Sequence, residues 1–374
     1  MYNFPYTNFH EINMDWILKK LQSIEYEAGG LRDVKYYGAI GDGITDDTEA
    51  IQNAVDNESY IIFPEGHYLI SDNISVTSPD KHFIGLPGAL IIANGAFFSI
   101  SQTNNISFDN LEFDYINNKP QASIVCWRSL DITITNCKFS NGQMFNIQCS
   151  TCGRVHINNC TLDGTETSAG ISLSSDSGYE YTDYGRNGYT WIENCLIKNS
   201  GLDGIIANNY NVTIRNCRIV DCGKYSPAAG IYCNSKNLLT IDHCYCLRNT
   251  GNGIDVVLTE RVTITNSKCS NNDCAGIYIG GDGLVIIENC FCNANGSNPI
   301  DSYQDSGIVI QGYSGTDSSN IKITNCFAQS NLNYGFRFLN AINCYVNSIL
   351  ATGNTNGNIE IVGSIYQADY TVTT

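Results

Sequence analysis

A short pattern, Ile132-Thr-Ile-Thr-Asn-Cys137, recurs through most of the chain. Its other copies are Val155–Cys160, Thr190–Cys195, Val212–Cys217, Leu239–Cys244, Val262–Ser267, Val285–Cys290 and Ile321–Cys326, with weaker ones at Ile106–Leu111 and Asn343–Ser348. A second pattern follows most copies by about nine residues and begins with Gly-Ile, as at Gly253 and Gly276. The commonest step between copies is about 23 residues and holds several short strands without helical spacing, which is typical of a parallel β-helix.

The phase of the apolar residues inside one copy indicates where the coil bends. Ile132 and Ile134 point to one side, whereas Cys137 and Phe139 alternate in the opposite phase, so the strand must break at Asn136. Asn is the residue besides Gly that best tolerates the left-handed conformation. The matching column is Asn110, Asn136, Asn159, Asn194, Asn216, His243, Asn266, Asn289, Asn325 and Asn347. We expect this column to form an internal corner ladder whose amides bond from coil to coil.

The 17 cysteines suggest a disulfide framework or a zinc site, but their positions favour neither. Most fall into two inward columns, one at the position of Cys137 and one at the position of Cys246. Stacked parallel strands lie about 4.8 Å apart, whereas the Cβ atoms of a disulfide lie about 3.8 Å apart. Only Cys149 and Cys152 have finger-like spacing, and no second pair accompanies them. We therefore expect reduced thiols that pack as small apolar groups, assembly in a reducing cytoplasm, and no metal.

The composition limits the partners. Charged residues make up 15% of the chain and the formal net charge is −17. This acidity argues against a protein that binds the nucleic-acid backbone or an anionic membrane surface, because both depend on Lys and Arg. No apolar run approaches the ~20 residues of a membrane span, and we expect no signal peptide.

Residues 33–70 carry a second signature. They read Asp42-Gly-Ile-Thr-Asp-Asp47, then a short helical stretch at about residues 48–55, and then Ile61-Ile-Phe-Pro-Glu-Gly-His-Tyr68. This segment resembles the opening of the pectate-lyase-like, right-handed β-helix superfamily, in the branch that contains many phage tailspikes and neck appendages. Asp46 and Asp47 suggest catalysis or calcium, but a structural role is favoured, with Asp46 capping the helix.

The resemblance and the repeats together imply an all-β fold. We predict a right-handed, single-stranded parallel β-helix, a solenoid of about 12–13 coils, with a short N-terminal helix and a helical cap. The expected units are residues 1–30, an N-terminal helical segment; residues 31–58, the cap; and residues 59–374, the β-helix. The stretch Asn8–Trp16 resembles leader segments on virion proteins of phages that infect Gram-positive bacteria, so residues 1–30 are expected to attach the chain to other virion proteins or to self-associate.

The resemblance implies a substrate groove along an outer strand face, between loops that leave the coils. Residues 174–189, 293–305 and 312–319 supply such loops, and the floor between them spans roughly 19 Å of stacked strands. Aromatic rings stack on sugars, and amides and guanidinium groups bond to hydroxyls. The expected substrate-binding residues are Tyr232, Tyr278, Asn208, Asn234, Tyr184, Arg186, Arg337 and Gln311. An ordinary solvated β surface, or a subunit interface, would show the same residue types.

Hydrolysis of a glycoside usually needs two carboxylates. Asp255 is the first candidate because it lies in the centre of the expected floor, and its candidate catalytic partners are Asp203, Glu180 and Asp305. On an ideal coil Asp203 and Asp255 are about 14 Å apart, so no pair is established from the sequence. The motifs of polygalacturonases and the calcium cluster of pectate lyases are missing, and neither activity is carried over; we expect no cofactor and no metal.

The sequence favours a phage tailspike or neck-appendage protein that binds host cell-surface polysaccharide and depolymerises it, as a glycoside hydrolase or a polysaccharide lyase. A non-catalytic receptor-binding or structural virion spike is the first alternative, and a cellular polysaccharide-degrading enzyme is the second. The resemblance implies a homotrimer located in the virion and synthesised in the host cytoplasm. The expected glycan is neutral or zwitterionic, unless an Arg offsets the negative charge locally.

Overall fold

Alternating apolar residues in each repeat form short strands that stack coil on coil. The computed structural model describes residues 32–116, 121–174, 188–234, 238–257, 260–281, 283–300, 304–312, 320–341 and 344–362, and the backbone of 367–372. The helix expected within residues 1–30 lies outside the described residues.

The strands form two sheets that run the length of the solenoid. The first sheet has 12 strands: β4 (Ile74–Val76), β7 (Phe98–Ser101), β10 (Ile124–Trp127), β13 (Ile147–Ser150), β16 (Ile171–Ser174), β19 (Ile205–Asn208), β22 (Ile231–Asn234), β25 (Ile254–Val257), β28 (Ile277–Gly280), β31 (Ile308–Gln311), β34 (Tyr334–Leu339) and β36 (Gly357–Val362). Neighbours pair in parallel, and such crossovers are right-handed in almost all proteins. The predicted right-handed parallel β-helix is confirmed.

The second sheet has 25 strands in two rows that meet at the corner. One row contains β2 (Tyr60–Phe63), β5 (Lys81–Gly85), β8 (Asn104–Asp109), β11 (Leu130–Thr135), β14 (Gly153–Asn158), β17 (Thr190–Glu193), β20 (Val212–Arg215), β23 (Leu238–Asp242), β26 (Arg261–Thr265), β29 (Leu284–Glu288), β32 (Ile321–Thr324), β35 (Cys344–Thr352) and β37 (Gln367–Val372). The other contains β1 (Asp42–Asp46), β3 (Gly66–Ile70), β6 (Ala89–Ala93), β9 (Glu112–Tyr115), β12 (Lys138–Gly142), β15 (Thr161–Thr165), β18 (Leu196–Lys198), β21 (Arg218–Val220), β24 (Tyr245–Leu247), β27 (Lys268–Ser270), β30 (Phe291–Asn293) and β33 (Phe327–Gln329).

The helical cap lies at the N-terminal end of the described chain. A 3₁₀ turn, Val34–Tyr37, precedes β1, and α1 (Thr48–Asn57) packs Ile51, Ala54 and Val55 into the core. Asp46 accepts the backbone N–H of Thr48 at 3.0 Å, while the buried Asp47 accepts those of Ile40 and Gly41. Both carboxylates therefore hold the cap together, as the structural interpretation predicts, but the N-cap residue of α1 is Asp47 and not Asp46. Within the described ranges, no helix is long and apolar enough to cross a bilayer.

The corner column adopts the predicted left-handed backbone, with φ between 51° and 56° from Asn110 to Asn325. Two details of the prediction are wrong. Most of the column is exposed rather than internal, although some of its amides bond from coil to coil, as Asn159 does to Asn136 at 2.7 Å. In the last coil Ser348 takes the corner, because Asn347 pairs with Thr324 inside the strand.

A second asparagine column forms the internal ladder that the corner column was expected to form. Its members are Asn249, Asn272, Asn295, Asn331 and Asn354. Each amide oxygen accepts both the backbone N–H and the side-chain amide of the previous member, as Asn331 does from Asn295 at 3.0 Å. Each side-chain amide also donates to a strand carbonyl, such as Cys269 for Asn295. The ladder thus provides hydrogen-bond partners for buried backbone N–H and carbonyl groups in each coil. Without the asparagine side chains these backbone groups would lack those partners.

All the cysteines are free and buried. Cys246, Cys269 and Cys292 stack in register, as the predicted inward column requires. Burial raises the pKa of the Cys137 thiol to about 12, and Cys137 donates to the carbonyl of Thr135. These thiols therefore act as small core residues with weak hydrogen bonds, as predicted from their spacing.

We predict that Asn295→Ala lowers the free energy of unfolding by roughly 2–4 kcal/mol, because several buried groups lose partners at about 1–3 kcal/mol each. The measurement is urea denaturation followed by circular dichroism. Asn289→Gly is the matched control, since this corner residue is exposed, has φ of 56° and makes one amide bond to Asn266. An equal loss of unfolding free energy in the two variants would contradict the inference that the internal ladder stabilises the fold more than the corner column does.

Candidate functional site

The outward residues of the 12-stranded sheet lie in the register that the repeats predict. Tyr232, Asp255 and Tyr278 pair on successive strands, followed by Val309 and Arg337. The neighbouring outward column contains Asn208 and Asn234, and the Oδ1 atom of Asn208 accepts the backbone N–H of Asn234 at 2.7 Å. The strand face that we expected to form the groove floor therefore exists. The turns that precede its strands determine which of its residues a ligand can reach.

A cavity of about 270 Å³ lies where this face meets the turn that precedes it. Asp203, Asp255 and Tyr232 all line it, together with Asn252. Its walls are residues 226–229, Gly251, Leu202 and the exposed side chain of Ile300. This concave site brings two candidate carboxylates and one candidate sugar-binding residue together.

Asp203 lies in the turn just before β19 and not on the strand face. Its Oδ1 atom accepts the backbone N–H of Ala229 at 2.7 Å. Burial raises the pKa of Asp203 to about 6, the bond from Ala229 opposes the rise, and the charge of Asp255 adds to it. The ideal-coil separation treated Asp203 as part of a straight strand, whereas Asp203 lies in a turn and lines the same cavity as Asp255.

Asn252 holds Asp255 and is a site residue that the sequence analysis missed. It is 2% exposed and donates its side-chain amide to Oδ2 of Asp255 at 2.8 Å. The amide oxygen of Asn252 accepts the N–H of Ala275, as Asp203 accepts that of Ala229. A signal was present in the sequence, because Asp203 and Asn252 both directly precede the glycine of the second pattern, whereas the corresponding residues of the coils that follow them are alanines.

Tyr232 contributes a phenol to the same cavity. Burial raises its pKa, the bond with Asn234 lowers it, and the charges of Asp255 and Asp203 raise it further. An acidic pair beside a neutral hydroxyl suits a ligand that offers hydroxyl groups and an acid-labile bond.

Four candidate residues have other partners. Tyr278 is only 7% exposed, packs against Ala275 and Val309, and donates its hydroxyl to Gln311 at 2.8 Å. Tyr278 is therefore a largely buried residue of this face, and the partly exposed Gln311 is its hydrogen-bond partner; their sugar-binding role stays a prediction.

Asp305 and Arg337 form a largely buried ion pair. The guanidinium of Arg337, whose side chain is 11% exposed, bonds Asp305 at 3.1 Å and also bonds Glu360. Asp305 accepts a further bond from Asn333 at 2.6 Å. These contacts hold Asp305 and Arg337 in one network, and neither residue lines the cavity that contains Asp203 and Asp255; their roles as a catalytic acid and a substrate ligand stay predictions.

Three candidates, Glu180, Tyr184 and Arg186, lie outside the described residues. Among the residues that are described, no cluster of three or more His, Cys, Asp or Glu side chains could hold a metal ion.

The fold and its opening signature define the class: a pectate-lyase-like, right-handed β-helix, as the sequence resemblance predicted. More narrowly, the model of the "rhamnogalacturonase A/epimerase, pectate lyase-like" family matches residues 31–255, which is more than half of the chain. The chain belongs to that family.

Individual relatives match parts of the chain. The pre-neck appendage protein of Bacillus phage phi29 is 24% identical over 217 residues, which are 54% of this chain and 24% of that protein. Segments that match curated relatives make up only 6% to 24% of the length of those proteins.

Solved structures share the fold at low identity. The N-terminal fragment of gene product 12 of bacteriophage phi29 has a TM-score of 0.61 at 14% identity, covering 96% of this chain and 73% of that one. The catalytic unit of a GH87 α-1,3-glucanase from Streptomyces thermodiastaticus has a TM-score of 0.67 at 13% identity, covering 92% and 69%.

The raised pKa of Asp203 predicts that Asp203→Asn is more stable than the wild type at pH 8. Above pH 6 the folded wild type holds an ionised carboxylate where burial and Asp255 disfavour it, whereas Asn is neutral and still accepts from Ala229. As the pH falls through about 6 the folded wild type takes up the proton before the unfolded chain does, so the advantage of the variant shrinks and is lost below about pH 4. Thermal unfolding between pH 4 and 8 measures this; a difference independent of pH would contradict it.

Proposed function

We propose that this protein is a phage appendage protein that binds a host cell-surface glycan and hydrolyses it at the Asp203–Asp255 cavity. The observation that carries the proposal is the pair of carboxyl groups in one cavity, with the pKa of Asp203 raised to about 6. Glycoside hydrolysis needs such a division of roles, in which one carboxyl group is a protonated acid and the other is an ionised base or nucleophile.

The roles follow from the surroundings of the two groups. Burial raises the pKa of Asp203 to about 6, so near pH 6 roughly half of the Asp203 carboxyl groups carry a proton, which Asp203 donates to the leaving oxygen as the glycosidic C–O bond breaks. Asp255 accepts the amide N–H of Asn252, which favours its ionised form and fixes its orientation. Asp255 assists the attack on the anomeric carbon, either directly or through the water that supplies the new hydroxyl group.

The comparisons support the location. The phi29 relative is a pre-neck appendage protein, one solved neighbour is a fragment of a phage gene product, and another is an α-1,3-glucanase. These likenesses support a virion location; that the chain is a homotrimer and is synthesised in the host cytoplasm is part of the proposal and rests on the sequence resemblance. Residues 1–30 attach it to other virion proteins.

The charge distribution favours a neutral or amino-bearing glycan. The chain has a net charge of −17, the cavity contains two aspartates, and Arg337 is engaged by Asp305 and Glu360. A polyanionic chain would meet repulsion at the cavity without a described cation lining it to offset the charge.

We predict that the wild type releases reducing ends from a cell-wall or capsule polysaccharide of a Gram-positive bacterium, and that Asp203→Asn and Asp255→Asn each reduce the rate by ~10²-fold or more. Glu112→Gln is the matched control, because this exposed acid bonds Lys138 far from the cavity, and we expect it to retain the wild-type rate. The assay measures reducing ends across a panel of purified polymers.

The other outcomes separate the alternatives. Binding to a polymer without release by the wild type would favour the non-catalytic spike. Release that neither aspartate variant affects would place the chemistry elsewhere.

A further inference from the structure

A second cavity, of about 350 Å³, shares a wall with the Asp203 cavity. Residues 226–229 of the loop after β21 line the first cavity, and Lys224 and Tyr225 of the same loop line the second. The remaining lining comes from coil corners: Asn141, Gly142, residues 163–166 and Asn199. We call this second space the Tyr225 cavity.

The lining of the Tyr225 cavity is suited to a sugar. Tyr225 is 61% exposed, and the ammonium of Lys224 lies 5.1 Å from the centre of its ring. Asp163 accepts from Asn199 at 2.7 Å and from Lys198 at 2.8 Å, which holds its carboxylate in place in the cavity lining. An exposed ring beside fixed polar groups offers an apolar platform and hydrogen-bond partners together.

The shared loop is held in place from both sides. Gly223 and Tyr225 donate their backbone N–H groups to Ser200 and Gly201 at 2.9 and 3.1 Å, and Gly251 donates to Ala228 at 2.8 Å. Gly223 has φ of +90°, and a Cβ there would lie 1.9 Å from Oγ1 of Thr250. The loop therefore presents Tyr225 in a fixed position, and a ligand loses little additional entropy from ordering it.

The two cavities lie along one line of stacked coils. Most of their lining residues come from five successive coils, within 141–142, 163–166, 199–203, 224–229 and 251–252. Four steps of about 4.8 Å give a band of about 19 Å, which is long enough for several sugar units.

We propose that the Asp203 cavity and the Tyr225 cavity are two subsites for one glycan chain, which is cleaved in the first and held in the second. This inference rests on the proposed function and deepens it: the substrate is an oligosaccharide long enough to reach both cavities, made of neutral or amino-bearing sugars. The sugar class follows from the two aspartates of the Asp203 cavity, which no described cation lines.

The test uses the full chain carrying Asp203→Asn, so that bound fragments are not cleaved. Fragments of the polysaccharide that the protein binds are sized into a short class of one to three sugars and a long class of six or more, about the reach of the band. Calorimetric titration then compares the Asp203→Asn protein with three double variants, which add Tyr225→Ala, Tyr225→Phe or Tyr245→Ala to it. Tyr245 is the control because it is 48% exposed and lines neither cavity.

We expect long fragments to bind about tenfold more tightly than short ones, and Tyr225→Ala to remove that advantage while leaving short fragments unchanged. Tyr225→Phe should keep it because the ring remains, and Tyr245→Ala should have no effect. Equal affinity for both lengths, or an equal loss for both with Tyr225→Ala, would overturn the two-subsite inference and leave the proposed function standing. Absence of binding to every polymer would overturn both.

Discussion

Parallel, in-register stacking of coils is the constraint on which the rest of this structure depends. Each residue lies about 4.8 Å above its equivalent in the previous coil, so a side chain that fits one coil must also fit against its own copy. Thiols, methyl groups and amides satisfy this requirement, whereas buried charges do not. The Cys246 column and the ladder through Asn295 are two solutions, one apolar and one hydrogen-bonded. The low content of charged residues, 15%, follows from the large share of inward and corner positions.

The same stacking explains how an acidic site forms on a regular surface. Asp203 and Asn252 occupy equivalent positions before the repeated glycine, two coils apart, and each accepts an N–H from the alanine of the coil that follows. In the coil between them, the small side chain of Ala229 lines the cavity. Asn252 donates its side-chain amide to Asp255, and burial together with the charge of Asp255 raises the pKa of Asp203 to about 6. The repeated residues form the solenoid, and residues that depart from the repeat, such as Asp203 and Asn252, line the acidic cavity.

The sequence predicted what depends on period and register, and failed where contacts between coils or turn geometry decide. The repeat placed Tyr232 beside Asp255 and Cys246 beside Cys269, because a period of two and a fixed step determine both. The repeat could not show that Val309 and Ala275 bury Tyr278, or that Asp305 forms an ion pair with Arg337, since those contacts depend on side-chain packing. The spacing of ideal coils also could not show that Asp203 and Asp255 line one cavity, because Asp203 lies in a turn and not on a straight strand. The internal asparagine ladder was detectable, since each member follows its corner residue at a fixed distance, but the corner column masked it.

The central claim is that Asp203 and Asp255 form an electrostatically coupled pair, and NMR titration of the aspartate carboxyl carbons tests it most directly. The account predicts that one aspartate titrates near pH 6, that Asp203→Asn removes this signal, and that Asp255→Asn lowers the pKa of Asp203, because a like charge is lost. A titration of Asp203 near pH 4 in the wild type, or one that Asp255→Asn leaves unchanged, would contradict it.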